Sequence, residues 1–111
     1  MKLPSNIQFI DEKTKEEFER LRSSDDNEKK EIYRWLARAF EDIKENCFCG
    51  IQIPKKLIPE EYLSKNIHNL WKYNLPNAWR LLYSIEHGKV LVLAIILEWM
   101  DHKAYERRFN Y

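Results

Sequence analysis

The chain has 111 residues, 44% of them hydrophobic and 33% charged, with 19 Lys+Arg against 18 Asp+Glu for a formal charge of +1. That length suits one domain over residues 1–111, and an apolar share of this size with almost no net charge excludes a disordered chain. A helical membrane span is excluded too, because the longest apolar run, Val90 to Leu97, is eight residues where about 20 are needed.

From the N-terminus, Met1-Lys2-Leu3-Pro4-Ser5 turns polar at once and lacks the apolar stretch of a signal peptide, so a cytoplasmic protein is expected. Asn6 to Ile10 alternates apolar and polar and reads as a first strand. Thr14 to Ser23 reads as a helix with Phe18 and Leu21 on one side. Ser23 to Asn27 is a turn, and Asp25 followed by Glu28 has the spacing of a capping box. The next helix carries Ile32, Trp35, Leu36, Ala39, Phe40 and Ile43 in one continuous stripe, the mark of a face packed on a core. Gly50 is its expected terminator.

After Gly50 the period changes. Pro54 and Pro59 bracket a connector, and Pro59 to Leu63 is suited to one helical turn led by proline. Asn69 to Leu75 alternates as a strand, Leu75 to Ala78 forms a turn, and Trp79 to Ile85 is the next strand. Val90 to Trp99, nearly all aliphatic, reads as a central strand buried on both faces. Asp101 to Tyr111 is polar and basic with aromatics at Tyr105, Phe109 and Tyr111. The sum is an α+β domain: a small antiparallel sheet, made of the N-terminal strand and a C-terminal three-strand meander, with two N-terminal helices packed on it.

Residues 1–50 carry ten basic and twelve acidic side chains, and residues 51–111 carry nine and six. A surface for polyanions is therefore expected in the second half. Cys47 and Cys49 are too close in sequence for an unstrained bridge, and Cys-Phe-Cys with no second pair makes no structural zinc site. Both are expected to be ordinary thiols, dispensable for fold and activity, and no metal or cofactor is expected. No Gly-rich phosphate loop, nucleophile elbow or zincin helix is present.

What remains is polar chemistry in or beside the meander. Arg80 sits among Trp79, Leu81, Leu82 and Tyr83, where a charge is costly unless paired or exposed. It is suited to clamp a phosphate through parallel hydrogen bonds; an edge position, or pairing with Glu98 or Asp101, accounts for it equally well. His102 and Tyr105 follow the last strand and are residue types that move protons. Lys65, Lys72, Arg107 and Arg108 are candidates for a basic floor.

Three segments of the C-terminal half resemble the RelE/ParE superfamily of toxins from toxin–antitoxin pairs. Asn69-Leu70-Trp71-Lys72-Tyr73-Asn74-Leu75 resembles a family strand of Leu-Trp followed by a basic residue. Trp79-Arg80-Leu81-Leu82-Tyr83-Ser84-Ile85 is similar to its strand of an aromatic, Arg, two aliphatics, Tyr and a spaced Ile. His102-Lys103-Ala104-Tyr105-Glu106-Arg107-Arg108-Phe109 resembles the ending of several members, and two helices before the meander agree with the family's order. The resemblance implies a RelE-like fold, a cognate antitoxin as partner, and one of two activities. One branch cleaves mRNA without metal, often at the ribosome; the other inhibits DNA gyrase and cuts no RNA. Arg80 matches the phosphate-contacting arginine, while His102 and Tyr105 match the acid–base segment, which favours the endoribonuclease. Lys65, Lys72, Lys103, Arg107 and Arg108 are then the expected RNA contacts. The alternatives are the ParE-like gyrase inhibitor and a degenerate module that only binds an antitoxin.

Overall fold

The computed structural model describes residues 2–110; Met1 and Tyr111 lie outside them. The first strand, β1 (Asn6–Phe9), leads into two helices, α1 (Glu12–Ser23) and α2 (Asn27–Glu45). Asp11 starts α1 by accepting hydrogen bonds from the backbone N–H and the hydroxyl of Thr14, which hold its carboxyl below the usual range. Asp26, one residue later than the expected capping box, starts α2 by accepting from Lys29 N–H. The stripe on α2 is buried as its spacing demands, with Ile32, Leu36, Ala39, Phe40 and Ile43 in the core and Trp35 partly covered. Asn46, not Gly50, ends this helix. Its side-chain oxygen accepts from the N–H groups of Leu3 and Phe48.

The remaining strands are β2 (Ile51–Ile53), β3 (Leu70–Asn74), β4 (Arg80–His87) and β5 (Val92–Met100), followed by α4 (His102–Phe109); a single turn, α3 (Glu60–Leu63), interrupts the β2–β3 connector. The fold is α+β. Its sheet has five strands in the order β1-β5-β4-β3-β2, and it departs from the expected one in two ways. The three residues Ile51–Ile53 pair antiparallel with β3, although they are too short to announce a strand by alternation. Strand β1 runs parallel to β5, so the sheet is mixed. Periodicity reports which face a side chain takes, not strand direction.

Strand β5 lies inside the sheet, but it starts later than its apolar run. Val90 is 93% exposed in the hairpin ahead of it, and β5 is only partly covered at Leu93, Ile95, Glu98 and Trp99. Asp101 to Asn110 forms a helix capped by the Asp101 carboxylate, which accepts from Ala104 N–H, with Asn110 in the left-handed conformation at its end.

Two cores result. One face of the sheet packs against α1 and α2 through Leu81, Tyr83, Ile85, Ala94 and Ile96. Trp71, Tyr73, Trp79 and Trp99 are partly buried on this same core. The opposite face carries Leu70, Leu82, Leu97 and Met100 under Ile58, Tyr62 and Ile67 of the connector and Tyr105 of α4. A register break between Leu82 and Tyr83 pairs them with Glu98 and Ile96, leaving Leu97 as the extra residue. The bulge turns both Leu97 and Glu98 toward the second face; strict alternation would point Glu98 into the helix-packed core. Among the described residues no helix is long and apolar enough to cross a membrane.

Candidate anion-binding site

The second face of the sheet brings two of the expected cations together. Lys72 pairs in register with Leu82, and Asn74 with Arg80, so Lys72, Asn74 and Arg80 share the face on which α4 lies. Capping by Asp101 fixes the start of α4 and drops Tyr105, only 2% exposed, onto the sheet. The Lys72 ammonium is 5.3 Å from the centre of the Tyr105 ring and the Arg80 guanidinium carbon 5.2 Å. Both distances fit cation–π contacts, each contributing about 0.5–2 kcal/mol.

No carboxylate among the described residues pairs with either cation. Glu98, a candidate partner of Arg80, is taken by Arg108 and by the Tyr62 hydroxyl, which donates to it at 2.6 Å. Asp101, the other candidate, is occupied in capping α4. The Arg80 guanidinium donates from Nη1 to the Trp79 carbonyl at 3.2 Å. Its Nε is buried with no acceptor among the described residues. A buried donor left without an acceptor costs about 1–3 kcal/mol, more when charged. A half-buried guanidinium with a spare N–H, beside a second cation and backed by an aromatic ring, is therefore arranged to receive an anion. Phosphate oxygens suit that geometry.

The other residues singled out from the sequence are dispersed. His102 opens α4 on its outer flank, 53% exposed, with Nε2 3.3 Å from Glu106 Oε1. Lys103 and Arg107 border a shallow depression on the solvent side of α4 with Glu106 and Asn110. Arg108 is engaged with Glu98, Tyr62 and Glu61. Burial, the largest single influence, lowers its affinity for a proton, but Glu98, Tyr62 and Glu61 together outweigh that and raise it. Arg108 thus fastens α4 to the sheet, and in this arrangement its guanidinium is committed to protein partners rather than to RNA. Burial, then the hydrogen bond to Glu98, push the Tyr62 hydroxyl far above its ordinary pKa. Lys65 lies in the connector and lines a separate concavity with Ser84 and Glu86.

Spacing alone does not reveal the Tyr62–Glu98–Arg108 network. The one visible signal is an acid, Glu98, inside an apolar run. Among the described residues no three His, Cys, Asp or Glu side chains converge to hold a metal ion. The two thiols differ: Cys47 is fully buried in the first core and Cys49 is exposed. Alkylation at Cys47 would have to displace core side chains, so the two are not equally dispensable. No protein-family model, curated protein or solved structure matches this chain.

Proposed function

We propose that the chain is a RelE-type toxin: a metal-independent endoribonuclease that cleaves mRNA and is neutralised by a partner antitoxin. The observation that carries this reading is the Lys72–Arg80 pair over the Tyr105 ring, two cations without an acidic partner among the described residues. Attack of a 2′-hydroxyl on the adjacent phosphorus builds negative charge on a phosphorane. Preorganised cations lower that barrier because they need no reorientation as the charge develops. Arg80 and Lys72 fill this role, and the products are a 2′,3′-cyclic phosphate and a 5′-hydroxyl.

The buried hydroxyl of Tyr105 makes its ring the back wall of the site rather than a proton carrier. His102, exposed at the start of the same helix, is then the proton-transfer residue. Lys103 and Arg107, on the outer side of α4, extend the positive surface along an approaching strand.

The test is induction of the chain in growing cells, with mapping of mRNA ends. Arg80→Ala should lower cleavage about 10²–10³-fold, the usual loss for one preorganised donor, without lowering the melting temperature. EDTA should change nothing. Growth arrest with intact transcripts and gyrase-linked DNA breaks would establish the ParE-like alternative instead. Antitoxin binding without arrest would establish the degenerate module.

A further inference from the structure

At the far end of the same sheet face lies a second concavity of about 400 Å³, within the range of small-molecule sites. Its floor is a cross-strand row, Gln8 on β1, Ile95 on β5 and Ser84 on β4, with Glu86 two residues beyond Ser84 on the same face. The connector roofs it, and that roof is held in place. The Asn69 carboxamide donates to the Ile85 carbonyl at 3.0 Å and accepts from the Ile85 N–H at 2.8 Å, standing in for a strand partner where β3 has not yet begun. Asn66, in the left-handed conformation, fixes His68 through a 2.8 Å hydrogen bond.

Ser84 is 5% exposed and lines this space. The remaining chemistry is directional. Apolar Ile67, Ile95 and Leu97 offer flat surfaces; Glu86, when ionised, only accepts hydrogen bonds and Lys65 only donates, while Gln8 and Ser84 do both. A planar ligand with donors on one edge and acceptors on another satisfies all four. Guanine carries an N2 amino donor beside N1–H, and O6 and N7 acceptors.

We propose that this concavity is a seat for a guanine base, with Glu86 accepting from the N1–H and N2 amino edge and Lys65 facing O6 and N7. The source of the base, a free nucleotide or a guanine within RNA, rests on the endoribonuclease reading only in the second case. Arg80 and Ser84 are four residues apart on one strand, roughly 14 Å at about 3.4 Å per residue. A strand seated at Lys72 and Arg80 therefore needs only a few nucleotides to reach the seat, which would give the nuclease a preference for guanine at a fixed offset from the cut.

The experiment is an amide NMR titration of the full chain carrying Arg80→Ala, so that RNA is not consumed. The probes are GMP, AMP and short oligoribonucleotides with and without a single guanine. Saturable shifts at Ser84, Ile85 and Glu86 with GMP, and much weaker ones with AMP, are expected. Glu86→Gln should weaken GMP about tenfold or more, the loss expected for a charge-assisted hydrogen bond. If GMP is silent but the guanine-containing oligomer alone shifts these amides, the base is read within RNA and the proposal stands. Equal response to GMP and AMP, indifference to Glu86→Gln, or silence toward every probe at millimolar concentration overturns it. Cleavage abolished by Arg80→Ala, together with an unchanged cleavage pattern in Glu86→Gln, would refute the reading of a guanine within RNA while leaving the nuclease intact.

Discussion

The fastening of α4 to the sheet gives the sharpest energetic test. The Arg108 guanidinium and the Glu98 carboxylate are 28% and 31% exposed, joined by the Tyr62 hydroxyl and, at 3.7 Å, by Glu61. Breaking a fully buried pair by removing one partner costs about 3–5 kcal/mol, whereas an exposed pair contributes about 0–1 kcal/mol. With two thirds of each side chain covered, Arg108→Met, which keeps the apolar stem, should cost about 2 kcal/mol. In a chain of this size that is roughly an 8 °C fall in melting temperature. Glu98→Gln keeps an acceptor for Tyr62 and should cost less. The double variant should recover part of the loss, with a coupling energy of about 1–2 kcal/mol. Urea denaturation of the four proteins at neutral pH measures it. Because α4 holds Tyr105 behind Lys72 and Arg80, the proposed endoribonuclease function implies that Arg108→Met should also weaken RNA cleavage at temperatures where the protein is still folded. A coupling within about 0.5 kcal/mol of zero would show that the pair is a solvated surface contact and that packing of Tyr105 and Phe109 alone seats the helix.

Three further outcomes follow from the same geometry. Burial, then the hydrogen bond to Asp42, push the Tyr73 hydroxyl from 10.0 up to about 12. Its contribution is complete below pH 10 and is lost as pH rises toward 12, because the unfolded chain ionises first. Denaturation at stepped alkaline pH should show Tyr73→Phe losing less stability than the parent over that window. Gly50→Ala would place a Cβ 2.6 Å from the Lys72 carbonyl oxygen and 2.7 Å from the Tyr83 hydroxyl. It should lower stability by about 1–3 kcal/mol and disturb the Gly50 N–H bond to Tyr83, readable by urea melts and by exchange of that amide. Burial raises the pKa of both thiols, but only Cys49 is exposed. A thiol reagent at neutral pH should therefore modify one cysteine slowly in the folded protein and two after unfolding; rapid labelling of both would mean that the first core opens readily.

The elements that local chemistry governs were readable in the chain itself. The stripe from Ile32 to Ile43 had only one way to be buried, and the alternation from Leu70 to Asn74 placed Lys72 and Asn74 on one face before any partner strand was known. Arg80 stood out because a guanidinium in an aliphatic strand demands a reason. Other features depended on contacts distant in sequence. Ile51–Ile53 is a strand only because β3 offers an open edge, and the direction of β1 is set by its pairing with β5, the last strand in the chain, while the helices carry the chain to β2 at the opposite edge. The bulge at Leu97 reversed the facing of Glu98, which brought that acid onto the face it shares with Arg80, where Arg108 takes it. Burial of Tyr105 between α4 and the sheet closed off its hydroxyl while leaving His102 in solvent. Residue type announces which side chains are costly to bury; which of them meet is settled by strand register and helix docking, and these are decided only when the whole sheet closes.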